Sequence, residues 1–257
     1  EALLRRISVG AIAPIAITSI VAYAANQAFF NIEPTFSVPD MPIELQPLIP
    51  FLIMTAFMSA ASAVAYMAAI RKGRELATRS QWSMPKLIFS CVFVVGCVGV
   101  VLPDITGLGL TQVNQMIDAQ FTLGMLVILL AAKIFVTAYC LNTGFFGGVF
   151  GPALFVGAAT GAIAAYLAVM MGLAPHLSYA LPVAAIAAVG GAVIGAPLAV
   201  IMIVIELTGS YAYGLSAMLC VILCSVLTLR LFGLSYFDRP LLDRGIDLRL
   251  GQEHVEV

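Results

Sequence analysis

Between Lys133 and Glu206 the chain runs for 72 residues, positions 134 to 205, without a formal charge, and His176 is the only imidazole in that stretch. A soluble domain averages about 25% charged residues, and about 20 consecutive apolar residues are enough to cross the hydrocarbon core of a bilayer. The uncharged stretch therefore has room for about three membrane spans. The remainder of the chain agrees, since 62% of its 257 residues are hydrophobic and only 10% charged. These features define an integral membrane protein. Twelve Lys and Arg against thirteen Asp and Glu leave no positive surplus for phosphates, which excludes nucleic acid as a partner.

Apolar runs of about 18 residues or more place candidate spans near 7–28, 48–70, 87–103, 121–140, 149–172, 181–208 and 211–233, several with Gly or Pro in their middles. The connection 29–47 carries Glu33, Asp40 and Glu44 with no Lys or Arg, whereas 71–86 carries Arg71, Lys72, Arg74, Arg79 and Lys86 against Glu75. Basic loops stay on the cytoplasmic side, so the second connection is expected inside and the first outside. Arg5 and Arg6 then put the N-terminus inside, and the polar tail from Asp238, with Arg230 just ahead of it, is expected in the cytoplasm. Asp104 and Asp118 flank TGLGLTQVNQ, which reads as an extracellular connection. The chain starts at Glu1 without a signal-peptide pattern, as expected of an internal or C-terminal piece of a longer chain. Cys91, Cys97, Cys140, Cys220 and Cys224 all fall in apolar segments without metal-ligand spacing and read as small buried hydrophobes.

The most informative segment is Asn142 to Gly161, NTGFFGGVFGPALFVGAATG. Gly144, Gly147, Gly148 and Gly151 disfavour a continuous helix, and Pro152 disfavours helix in the residue before it. The chain is expected to break at membrane depth and restart near Phe150. Irregular backbone at that depth is tolerated only inside protein or beside a cavity. A restarted helix exposes its first N–H groups and the positive end of its dipole, which suits an anion without a buried Lys or Arg. The competing reading is a Gly/Pro kink that only packs.

Gly148-Val149-Phe150-Gly151-Pro152 resembles the G-x-F-x-P motif of the CLC family of chloride channels and chloride/proton antiporters. Gly195 to Tyr211, GAPLAVIMIVIELTGSY, resembles that family's R-A-P-L-x-x-x-x-x-x-x-E-x-T-x-x-Y segment, with Gly195 where Arg is frequent and with Pro197 and Glu206 at motif positions. Ser235 to Gly245, SYFDRPLLDRG, is similar to the segment that closes the family's membrane domain. The matches lie in family order and cover essentially the whole chain.

The resemblance implies an all-α membrane protein with tilted and broken helices, the second inverted repeat of a CLC-type fold. Residues 1–237 would form the C-terminal half of the transmembrane domain and 238–257 a cytoplasmic tail. It implies chloride or a similar small anion as the transported species, a lipid environment such as a bacterial inner or plasma membrane, and a homodimer. The first span and the segments near 183–205 and 211–230 match the family's dimer elements. The family's G-S-G-I-P and G-K/R-E-G-P motifs are missing, so the upstream half is an expected partner and an isolated half-domain without transport is the alternative. The anion-binding residues implied are Gly147, Gly148, Val149 and Phe150, with Phe237, or Tyr236 after a local shift, at the family's pore tyrosine. Gly151, Pro152, Pro197 and Glu206 are implied structural motif positions. Ala2 stands where antiporters place an internal proton acceptor, which leaves channel against antiporter open. No cofactor or metal is expected.

Glu206, in an apolar span, is either a proton carrier or a structural group hydrogen-bonded at the Gly209-Ser210-Tyr211 turn. Lys133 either draws anions or pairs within the protein. An intramembrane enzyme would need a nucleophile and base at depth, yet His176 and His254 lie outside the spans and no G-x-S-x-G occurs. The protein is therefore read as a non-enzyme.

Overall fold

The computed structural model describes residues 9–30, 35–36, 38–39, 44–80, 82–145 and 147–233. Among them are nine α-helices and no strand: α1 (Val9–Phe30), α2 (Leu45–Arg79), α3 (Met84–Val101), α4 (Leu110–Ile117), α5 (Leu123–Asn142), α6 (Phe150–Met170), α7 (Ala180–Ile194), α8 (Pro197–Thr208) and α9 (Tyr211–Phe232). Six helical stretches are long and apolar enough to cross a membrane. The protein is an integral, multi-pass, all-α membrane protein, as the charge-free stretch requires.

The core is built around α7. Every residue from Ala180 to Val193 is buried, as expected for a helix that is apolar on all sides, and α2, α6, α8 and α9 pack around it. The tightest of these contacts is with α6. A Cβ on Gly157 would stand 2.7 Å from the Ala185 carbonyl oxygen and from Ile186 Cα, and one on Gly161 would stand 2.7 Å from Ala185 Cβ and the Leu181 oxygen and would run into Pro182 Cα. Gly157 and Gly161 are four apart on one face, the small-xxx-small spacing that lets two backbones approach in a medium with little hydrophobic drive between helices. By contrast, α1 and α3 present mostly exposed apolar side chains, Ile20 and Phe89 among them.

Two spans and one connection differ from the sequence expectation. The run 48–70 is part of a longer helix, because Arg71 to Arg79 continue α2 for about two and a half largely exposed, polar turns rather than opening a loop. The run 181–208 is two helices. Gly195 ends α7 in the left-handed region at φ 78°, and Pro197 opens α8, the Gly-after, Pro-before punctuation of adjoining helices. The connection 104–118 is no simple external loop: it contains a 3-10 turn at Pro103–Ile105 and the short α4, and it folds back onto α6.

The two ends of the bundle are distinct. At one end the Asn142 amide donates to the Ile70 carbonyl at 2.9 Å, and the Arg71 guanidinium lies 5.2 Å from the centre of the Phe232 ring. The C-termini of α5 and α9 therefore share the basic end of α2. At the other end the Phe36 amide donates to Leu207, the Tyr213 hydroxyl to Pro39 and the Asn114 amide to Thr35. The connection between α1 and α2 thus closes over α4, the end of α8 and the start of α9.

Candidate functional site

The site begins where α5 stops. Thr143 caps α5, and Gly144 takes φ 101°, a conformation open to few other residues. The chain then reaches Val149, whose backbone is already near helical at φ −87° and ψ −17°, and α6 starts at Phe150. The expected restart is met at that residue.

No side chain caps α6. Its first backbone bond within the described residues runs from the Ala153 amide to the Val149 carbonyl at 3.2 Å. Pro152 has no N–H, so the amides of half-buried Phe150 and Gly151 are the first-turn donors for which no acceptor occurs among the described residues. Val149 is 5% exposed, its side chain packed inward, and its carbonyl also accepts from the Tyr66 hydroxyl of α2 at 3.0 Å. Tyr66, itself fully buried, fixes the height of the helix start. By helix rise it lies about 7–8 Å further into the apolar run than Arg71.

Gly147 and Gly148 are exposed in front of this start, and no heavy atom lies within 4 Å of where a Cβ on Gly148 would stand. The Phe150 ring is accommodated by Gly190 near the end of α7, where a Cβ would come within 3.3 Å of Phe150 Cε2. Gly151 is covered instead, since its Cβ would stand 2.8 Å from Leu108 Cδ2.

Leu108 introduces residues the sequence reading did not assign. The segment after α3 reaches α6 because Gly107 and Gly109 take positive φ, 65° and 73°, and Gly109 lies against the Phe155 ring. The Lys133 ammonium of α5 ties the fold-back in place, donating to the carbonyls of Ile105 at 2.8 Å and Gly107 at 2.9 Å and lying 4.6 Å from the centre of the Phe155 ring. Lys133 is only 3% exposed. Its charge is met by two carbonyl dipoles and an aromatic face, so the ammonium is held within the protein. The spaced glycines of TGLGLTQ, next to apolar Ile105 and Leu108, were the signal available for this.

Pro197 opens α8 next to this region, with Gly191 packed against Pro197 Cα at the distance a Cβ would make 3.5 Å. Glu206 is brought to neither place. It lies exposed in the last turn of α8, beside Leu207, and makes no hydrogen bond among the described residues. Thr208 holds the following turn, accepting from the Ser210 amide at 3.4 Å. Glu206 is the tenth of the 12 residues of α8. Tyr236 and Phe237, like Glu1, Ala2 and the tail, lie outside the described residues.

A multi-pass helical membrane protein with a broken, uncapped helix start at Phe150 is the class these features define. Residues 1–229 match the family model described as voltage gated chloride channel, and the chain belongs to that family. It is 26% identical over 154 residues to the chloride channel protein CLC-e of Arabidopsis thaliana, a match covering 56% of this chain and 22% of that protein. An uncharacterized protein of Methanocaldococcus jannaschii is 27% identical over 180 residues, 64% of this chain and 44% of its own length. The fold is similar to that of a slow cyanobacterial Cl−/H+ antiporter, with a TM-score of 0.73 and 19% identity over 84% of this chain and 51% of the antiporter. The chain thus spans less than half of these curated relatives and about half of the solved structure.

Proposed function

We propose that this chain supplies the C-terminal half, residues 1–237, of a transmembrane path for chloride or a similar small anion, with residues 238–257 as a cytoplasmic tail. The observation that carries the reading is the uncapped start of α6, with no acceptor among the described residues for the amides of Phe150 and Gly151, behind exposed Gly147 and Gly148. Backbone donors at the positive end of a 21-residue helix attract an anion without a contacting cation. Val149 contributes its backbone, and Phe237 or Tyr236 would close the site from the segment after α9. Gly151, Pro152 and Pro197 shape the breaks, and Glu206 marks the end of α8. The protein has no catalytic role in this reading, and it works as a homodimer in lipid.

The alternative is a structural half-domain that conducts nothing until the upstream half is present, and the share of the solved antiporter covered, 51%, favours supplying that half in any assay. The test uses the full-length protein in liposomes. Chloride flux and saturable chloride heat in calorimetry are expected, both weakened by Gly148→Leu, whose side chain would fill the space before Phe150. Wild-type-like chloride binding in that variant refutes the site. Chloride-driven proton uptake in the same vesicles distinguishes an antiporter from a channel.

A further inference from the structure

Only one described side chain of the 18-residue α3 is buried, and it is Cys91, 1% exposed. Its neighbours on the helix, Phe89, Val92 and Phe93, all face outward. This one fully buried side chain of α3 meets a second thiol: Cys91 Sγ lies 3.6 Å from Cys140 Sγ on α5. One residue earlier on each helix, Ser90 Oγ and the Tyr139 hydroxyl are 3.0 Å apart. The two helices are therefore aligned at this height by a polar pair stacked on a thiol pair.

The other cysteines are placed differently. Cys220 Sγ donates to the Leu52 carbonyl at 3.1 Å, and Cys224 Sγ lies 3.9 Å from the Thr228 hydroxyl, so both have other partners. Cys97 is exposed. A cavity of about 220 Å³ lies between the basic end of α2, the start of α3 and the end of α5; neither cysteine lines it. Leu87, one helical turn from Cys91, and Tyr139, adjacent to Cys140, both line it.

We propose that Cys91 and Cys140 form a reversible disulfide that fastens α3 to α5 just ahead of the break leading into α6. Closing the sulfur separation to the disulfide length of about 2.05 Å asks for a movement of about 1.5 Å shared between two side chains. The co-reactant is a small disulfide of the glutathione class. The thiolate of one cysteine attacks it, forming a mixed disulfide and expelling one glutathione thiolate. The second cysteine then attacks the protein sulfur of that mixed disulfide and expels the other glutathione thiolate. Two protein thiols lose two electrons and two protons, and one small disulfide becomes two thiols.

The experiment incubates the full-length protein in detergent micelles with glutathione disulfide, unfolds it, labels free thiols with N-ethylmaleimide and maps the labels by mass spectrometry. The expected result is joint loss of label at Cys91 and Cys140, a linked peptide containing both, retained Cys220 and Cys224 labels, and full recovery with dithiothreitol. Cys140→Ser is expected to abolish the linked peptide. Unchanged labelling of Cys91 and Cys140, or a glutathione adduct on either that its neighbour fails to displace, overturns the proposal.

Discussion

Gly161 gives the sharpest test of how α6 is seated. A Cβ there would stand 2.7 Å from the Leu181 oxygen and from Ala185 Cβ, with Pro182 Cα in the way as well. Carbon contacts settle near 3.5 Å, so Gly161→Ala must open the α6–α7 contact by about 0.8 Å, and a gap of that size forfeits a quarter to a half of each affected contact's attraction. The obstacle is largely backbone, which puts the cost near the upper end of the roughly 1–3 kcal/mol seen for overpacked cores. Alanine recovers about 1 kcal/mol of helix propensity, leaving a net loss of about 2 kcal/mol. Gly96 in α3 is the matched control, because nothing lies within 4 Å of its Cβ position; Gly96→Ala keeps the propensity gain alone. Thermal unfolding of the full-length protein in detergent, followed by circular dichroism, should therefore move in opposite directions for the two variants. A Gly161→Ala protein as stable as wild type would refute the argument that this close approach seats the half-helix.

Three further perturbations separate the parts of the site. Tyr66→Phe removes the hydroxyl bonded to the Val149 carbonyl, and because that carbonyl keeps the Ala153 amide the loss is about 1 kcal/mol, readable as a lowered unfolding midpoint with unchanged helix content. Gly195→Ala forces an L-residue to φ 78° at the end of α7 and should cost about 1–2 kcal/mol in the same assay. Lys133→Met removes a cation packed on the Phe155 ring, five residues and by helix rise about 7.5 Å along α6 from Phe150; a charge about 10 Å away is worth about 1.7 kcal/mol at an effective dielectric of 20, so chloride affinity measured by calorimetry should fall by more than tenfold. Unchanged affinity in a folded Lys133→Met protein contradicts the electrostatic role.

The start of α6 was legible because its determinants are local. Gly144, Gly147 and Gly148 weaken the helix before Phe150, Pro152 is compatible only with a first turn, and the structure begins α6 at Phe150. The break at Gly195 was equally local, yet a search for apolar runs passes over it, since Gly195, Ala196 and Pro197 are all compatible with an apolar window. Glu206, in the last turn of the 12-residue α8, is exposed on the protein surface. The fold-back of 103–109 depends on partners far along the chain, Lys133 and Phe155. Periodicity within the segment carries no information about them.

That fold-back alters the electrostatics inferred from the uncharged stretch. A site built within residues 134 to 205 has only backbone dipoles to offer, and the half-charge at a helix start is a modest attractor. Lys133 sits at the boundary of the stretch, and the structure carries its ammonium inward against α6 with no carboxylate partner among the described residues: both acceptors are carbonyls, and its remaining face meets the Phe155 ring. Carbonyl dipoles solvate the charge but do not cancel it. Under the proposed function, the positive potential before Phe150 is then the sum of a helix dipole and one formal cation that an anion never touches. Such an arrangement attracts an anion while sparing it the tight contact ion pair that would hold it in place. A path that must release what it binds is better served by a cation behind the helix than by one in front of it.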